Sequence, residues 1–445
     1  MAPRDRCLSA RREPCHEGTS VGYAANAYDA AGNRSSFASS VRLIFRTYCS
    51  RLSGDLVTAA QHVQIYGLYY YVDFRRTLTP KVERFRQPNS KDARMTQDKL
   101  FISHSSALEF WRKHDLSRAG GIKRVRTSSL KGATADPTEI RRLAKQASPD
   151  AGRVYGAQAG ESLQKAVAHL DIKEAPLHIM VSGREDRRKR PNLIAHYYPK
   201  PLADGSFCQI GHNVYVASPE LTLVQMATML SDVEVLELCL EFCSGYTINP
   251  DAERGFDDRP ALTTRKRLLA YVEKMGGHRG VGQIKPILPY VIDDSASPME
   301  TAVLMLLCLP SRKGGYQLPL PKHNVEIPIT GRARSHTGRK HLVCDLYWER
   351  FHLDVECDST ANHSSKQQLG IDSDRRIILD AMQYHYVGIT RWQLEDSGRF
   401  LDAVQAIRRI MGFKLRKTAP HIEQKRERLR SFLVTPHGQR AAPRL

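Results

Sequence analysis

The chain has no uninterrupted apolar run of about 18 residues, so the sequence offers no membrane-spanning helix. Its first thirty residues carry positive charge but no apolar stretch of the kind a secretory leader needs. The nine cysteines include no CxxC pair, which argues against a thiolate zinc site or a disulfide framework. Cys239 and Cys243 lie four apart in an apolar helical pattern, and Cys344 and Cys357 alternate with apolar residues. They read as small buried hydrophobes in a reducing, cytoplasmic setting. No repeat of fixed period is present. Acidic residues are also short: 47 Asp and Glu face 67 Lys and Arg, a formal charge of +20 in 445 residues. That balance points to a polyanionic partner, most often nucleic acid and sometimes ribosomes or an anionic membrane; the expected partner is DNA, or RNA, and not a membrane.

The basic charge comes in blocks. Residues 118–153 hold nine basic and three acidic side chains, and residues 412–445 nine against two. Shorter basic loops are "GREDRRKR" at 183–190 and "GRARSHTGRKH" at 331–341. The second supplies Arg332, Arg334, Arg339 and Lys340 as candidate contacts to a phosphate backbone.

Periodicity divides the chain into five parts. Residues 1–94 show little pattern beyond the aromatic patch "YGLYYYVDF" and read as a poorly ordered basic extension, with the folded chain starting near Met95. Residues 95–160 open with a strand-to-helix pattern, "DKLFISHSSALEFWRKHD", and continue as a basic linker. Residues 161–294 read as an α+β domain in which "LHIMVS", "NLIAHYYP", "FCQIG" and "NVYVAS" are strands. Ser218, Pro219 and Glu220 then start a helix. Residues 295–412 give the order α-β-β-β-α-β-α, and residues 413–445 form a basic tail. The whole is an α/β chain.

Acid is concentrated in "CDLYWERFHLDVECD", residues 344–358, where five carboxylates meet a single arginine. A two-residue turn at Glu349–Arg350 pairs Trp348 with Phe351, Leu346 with Leu353, Cys344 with Val355 and Leu342 with Cys357. These eight apolar residues then share one face, and Asp345, Asp354, Glu356 and Asp358 share the other. Any turn of even length preserves this parity. Carboxylates so crowded repel unless a proton or cation intervenes, and Mg²⁺ or Mn²⁺ suits oxygen donors of this kind. A solvated face of an amphipathic hairpin is the plainer alternative.

With "SPME" before a helix, "VCDLYW", "DVECDS", "NH" at 362–363, "DSDRR" and "YVGITRWQL", residues 295–412 resemble the very-short-patch-repair endonuclease family of the PD-(D/E)xK fold. The resemblance implies a restriction-endonuclease-like core with metal bound by Asp345, Glu356 and the first-helix acid Glu300. It also implies catalytic roles for Asp345, Glu356, Asp358 and His363. Glu300 is equally the capping partner of Ser297. Ser359 replaces the commoner glycine, and no lysine lies two residues after Glu356, so the resemblance leaves Lys366, Arg375 or Arg376 to supply the missing cation. Arg375 and Arg376 can instead pair with Asp372 and Asp374 on their own helix. Through "VYVASPELTLVQMA", residues 160–290 resemble more distantly the antitoxin domains of abortive-infection systems (the AbiEi group). Together these imply a metal-dependent DNA endonuclease of repair, restriction or phage defence; the alternative is a non-catalytic, antitoxin-type nucleic-acid-binding regulator that keeps the nuclease fold.

Overall fold

In the computed structural model the described residues are 98–116, 122–126, 129–147, 162–337, 340–358, 366–414 and 418–440, with the backbone of five short strands before them. Contacts divide the chain into two compact units, Met1–Thr96 and Gln97–Leu445. In the first, Arg11–Arg12 pairs with Tyr23–Ala24, and Gln61–Ile65, Leu68–Asp73 and Lys81–Arg84 form an antiparallel three-stranded sheet. The aromatic patch therefore supplies a middle strand. The remaining residues of the expected 1–94 extension lie outside the described ones.

The second unit is mixed α/β. Its first sheet contains β1 (Leu100–Ile102), β2 (Lys123–Val125), β3 (Leu177–Val181), β4 (Lys189–Arg190), β5 (Leu193–Tyr197), β6 (Phe207–Gly211) and β7 (Val214–Ala217). They lie in the order β2-β6-β7-β1-β3-β5-β4, with β7/β1 and β3/β5 parallel and the other pairs antiparallel. β3 is buried along its whole length, which is why "LHIMV" reads as an almost continuous apolar run. Because β1 and β2 belong to this sheet, the boundary expected at 160 falls inside one folded layer. The 118–153 block, read as linker, contributes β2 and helix α2 (Pro137–Gln146).

Among the described residues seven helices lie around this sheet, and the one starting at Pro219 begins at the cap the sequence places for it. Helix α1 (His104–Lys113) buries Trp111, whose indole donates to Ala217 O at 2.8 Å. After the short α3 (Leu163–Val167) comes α4 (Pro219–Met226), capped by Ser218. Ser231 and Glu234 form a reciprocal capping box on α5 (Asp232–Phe242). A hairpin, β8 (Tyr246–Ile248) and β9 (Phe256–Asp258), leads to α6 (Arg265–Lys274) and α7 (Val281–Ile284).

Buried charge joins these elements. Glu241 of α5, 2% exposed, accepts two hydrogen bonds from Arg112 of α1 and one from Ile248 N of β8. Arg259, 7% exposed, donates to Trp111 O, Glu241 O and Tyr246 O. Both residues satisfy backbone groups that would otherwise lie unpaired away from water.

The second sheet follows α8 (Pro298–Cys308), apolar on every side and buried from Met299 to Cys308. It runs β10 (Lys322–Pro328), β11 (His341–Trp348), β12 (Leu353–Asp358) and β13 (His385–Thr390), in that order. The first two pairings are antiparallel and β12/β13 is parallel, joined by α9 (Lys366–Ala381). Helices α10 (Arg391–Glu395), α11 (Ser397–Ile410) and α12 (Pro420–Val434) complete the unit. The tail expected at 413–445 is thus largely built into the fold. The Arg426 guanidinium lies 4.2 Å from the centre of the Tyr316 ring, and Arg440 pairs with Glu237.

Among the described residues no helix is long and apolar enough to cross a membrane. The six cysteines among them are unpaired as disulfides, and five are buried. Breaking a buried ion pair typically costs about 3–5 kcal/mol. Glu241→Ala is expected near the lower end, about 3 kcal/mol, because Arg112 keeps some contact with water. A urea titration checks this: the midpoint should fall with an unchanged slope.

Candidate functional site

The acidic hairpin turns later than the sequence reading expects. Glu349–Phe351 make a 3₁₀ turn and His352 takes a left-handed conformation, φ 43°, so the loop has four residues. Trp348 pairs with Leu353, Tyr347 with Asp354 and Leu346 with Val355. The register therefore shifts by two residues from the expected one while the parity survives.

One part of the expected face does not form. Leu346, Trp348, Leu353 and Val355 join the main core, but Leu342 and Cys344 pack with Tyr347, Ile378 and Leu379 in a second cluster. The cause is local. The β11/β12 ladder ends at Leu346 and Val355, and carboxylates take over the backbone donors beyond it. Asp345 N–H donates to Glu356 Oε1 at 3.3 Å, and Cys357 N–H to Asp345 Oδ2 at 2.8 Å. The strands part where the two acids meet, and the alternation of β11 slips there.

Arg375, projecting from α9, is the cation set against these acids. It donates to Asp354 Oδ2 at 3.0 Å, to Glu356 Oε1 and to Val343 O. Asp354 is fully buried, so without this guanidinium its charge would be unsupported. Burial pushes the Glu356 carboxyl up to about 9, helped by Asp354 and Asp345 and opposed by Arg375. Burial likewise raises Asp345 and Asp354.

Glu300 lies at the start of α8, buried. Its carboxylate accepts from Ala296 N at 2.8 Å, Ser297 Oγ at 2.9 Å and Asn324 Nδ2 at 3.2 Å. Burial first and Asp345 second push it up to about 7. It is thus both a partner of the helix cap and electrostatically coupled to the acid hairpin. Asp358 is half-buried at the end of β12.

His363 and Arg339 lie outside the described residues, as do the side chains of Lys366 and Arg332. Arg334 and Lys340 are exposed on the loop between β10 and β11. Arg376 is exposed too, its guanidinium 5.1 Å from the Tyr386 ring centre. Of the proposed cations with described side chains, Arg375 is the one that reaches the acids, pairing with Asp354 and Glu356.

A second constellation escaped the sequence reading. His104, His178 and His196 bring one ring nitrogen each to within 4.8 Å of one another, and they are the one such group of metal-ligating side chains among the described residues. Only the sheet order joins them, since β1, β3 and β5 are adjacent. The available signal was faint: a lone histidine in each of two otherwise apolar strands.

No family model matches the chain, and no curated protein or solved structure matches it.

The acid cluster gives a pH signature. Glu356 holds its proton in the folded chain up to about pH 9 and loses it near the ordinary glutamate value when unfolded. Between those values the folded state binds more protons, so this contribution is complete at low pH and drains away as pH rises. Melting temperatures of wild type and Glu356→Gln, in chelator and across about pH 5 to 9, should diverge in favour of the variant as pH increases. Parallel curves would contradict a retained proton.

Proposed function

We propose that residues 295–412 form a PD-(D/E)xK-type nuclease core and that the protein is a metal-dependent DNA endonuclease. The observation carrying this reading is the crowding of Glu300, Asp345 and Glu356 where β11 and β12 part, with carboxyls raised and Arg375 facing them. Four carboxyls, Asp354 included, share one guanidinium, so the cluster favours a bound proton or cation. The donor set is all carboxylate oxygen, which fits Mg²⁺ or Mn²⁺; such ions take one or two carboxylates and complete their shell with water and substrate phosphate.

In this reading Asp345 and Glu356 hold the ion, assisted by Glu300, and Asp358 orients groups at the mouth of the site. When bound, the ion polarises the phosphodiester and makes water a stronger acid. Arg375 does part of what the absent motif lysine would do. It keeps Glu356 fixed and places positive charge beside the acids, where charge on a phosphate would develop. Arg334, Lys340 and Arg376, exposed, draw the nucleic-acid backbone by charge alone. Repair, restriction and phage defence are the settings that suit such an activity.

A second reading, the non-catalytic regulator, draws on a separate observation. Arg375 already pairs with both Asp354 and Glu356, and no three carboxylate oxygens among the described residues gather within 4.8 Å. A site closed by its own arginine keeps the fold and loses turnover.

Plasmid and single-stranded DNA, each incubated with Mg²⁺ or Mn²⁺, separate the readings. The nuclease reading expects cleavage that falls at least about a hundredfold in Asp345→Ala and Glu356→Gln, the scale on which removing one charge-stabilising group acts. With the ion present, which would hold Glu356 ionised, DNA affinity should hold or rise in Glu356→Gln, since a negative charge beside phosphate is removed. Absence of cleavage in wild type, with affinity still altered by Glu356→Gln, supports the regulator. Cleavage of RNA alone would reassign the substrate.

A further inference from the structure

We propose that His104, His178 and His196 form a binding site for one divalent transition-metal ion of the Zn²⁺ class, with its fourth position open to a cation-rimmed cavity. This site is independent of the acid hairpin and uses different chemistry.

The three imidazoles reach one place by three routes. His178 and His196 lie on the neighbouring parallel strands β3 and β5, where Ile194 is the partner of His178 and Met180 the partner of His196. The two-residue spacing from Ile194 to His196 keeps both histidines on one face of the sheet. Nδ1 of His178 and Nε2 of His196 are 2.9 Å apart. His104 is the first residue of α1, directly after β1, and its ring stacks on that of His196 with 3.6 Å between centroids.

The surroundings hold these rings in position. His104 has φ 50°, a left-handed conformation that a non-glycine residue keeps only where its neighbours impose it. Here Gln225, fully buried on α4, accepts its backbone N–H at 2.9 Å. Ser103 Oγ lies 3.0 Å from its Nδ1, leaving the other ring nitrogen for the group. Metal-binding histidines characteristically have such an outer partner, which fixes tautomer and orientation.

The donor set suits the ion. Three neutral imidazoles plus one exchangeable position is a known arrangement for Zn²⁺. His104 and His178 are 3% and 5% exposed, and burial first, then mutual repulsion for His104 and His196, keeps their lone pairs free of protons. Zn–N bonds of about 2.0–2.1 Å at tetrahedral angles place ligand nitrogens about 3.3 Å apart. The His178–His196 separation of 2.9 Å has to open, the separations to His104, within 4.8 Å, have to close, and His104 has to unstack.

His104 and His196 line a cavity of about 180 Å³ whose wall includes Arg187, Lys200 and Arg279. The loop carrying Arg279 ends at Gly280, with φ +88°, where a Cβ would come within 1.9 Å of Val224 O. That side of the cavity is thereby fixed against α4. An anion is the natural occupant of the fourth position, since exposed cations surround it and the ion itself is positive.

The test uses the full chain, stripped with chelator and titrated with Co²⁺ and then Zn²⁺. Expected are one Co²⁺ per chain that gives the intense visible bands of four-coordinate nitrogen ligation, besides any six-coordinate ion the acid hairpin takes, displacement of that Co²⁺ by Zn²⁺, and a higher melting temperature with Zn²⁺. His196→Gln and His178→Asn should each weaken Zn²⁺ binding at least tenfold and abolish the Co²⁺ bands, whereas Asp345→Asn should retain both. Unchanged affinity in the two histidine variants, or loss in Asp345→Asn instead, would overturn the site. If the variants fail to fold, wild type decides alone. Protection of the histidines from diethylpyrocarbonate by Zn²⁺ supports the proposal, and a six-coordinate Co²⁺ spectrum with no protection refutes it.

Discussion

Arg375 is the interaction on which the second sheet depends. Its guanidinium reaches from α9 to Asp354, Glu356 and a carbonyl of β11, so one side chain ties the helix to both strands of the hairpin. Like charges at this spacing would force the strands further apart in a dry environment, and a fully buried Asp354 would be costly without a partner. The parting of β11 from β12 is therefore controlled. It opens by as much as two carboxylates need to reach opposing N–H groups, and it is held there by a cation from the crossover helix.

Much of the architecture was legible because periodicity and capping chemistry act locally. Ser218 and Ser297 start their helices with the partners their spacing implies, and the strands from 177 to 217 and from 322 to 390 lie where their apolar patterns put them, apart from the slip in β11. The hairpin loop was read two residues short, yet the acids kept their strand positions, because an even change in loop length cannot exchange faces. What misled was composition. The 118–153 and 412–445 blocks look like solvated linkers by charge, whereas β2 pairs in a sheet and Arg426 stacks on Tyr316. Arginine permits this because its stem and planar head pack well while its nitrogens find carbonyls.

The site divides along the same line. Asp345 and Glu356 were visible because acid is conspicuous in a basic chain. The slip of alternation at Cys344 was not, since it comes from side chains replacing backbone acceptors. The three histidines were beyond local reading altogether: their approach is created by the sheet order, and each alone is an ordinary residue of a helix start or a strand. The two constellations also differ in hardness, oxygen donors in one and nitrogen donors in the other.

The closing helix has a consequence in time. Arg430 of α12 donates to Leu394 O, Arg426 pairs with Thr418 and Glu423, and Arg440 reaches back to Glu237 on α5. These groups leave the ribosome after everything they hold, and a domain normally settles as its residues emerge. Until they arrive, Glu237, buried on α5, stands without its arginine. The pairing spans 203 positions, so that side of α5 is sealed only once residue 440 has emerged.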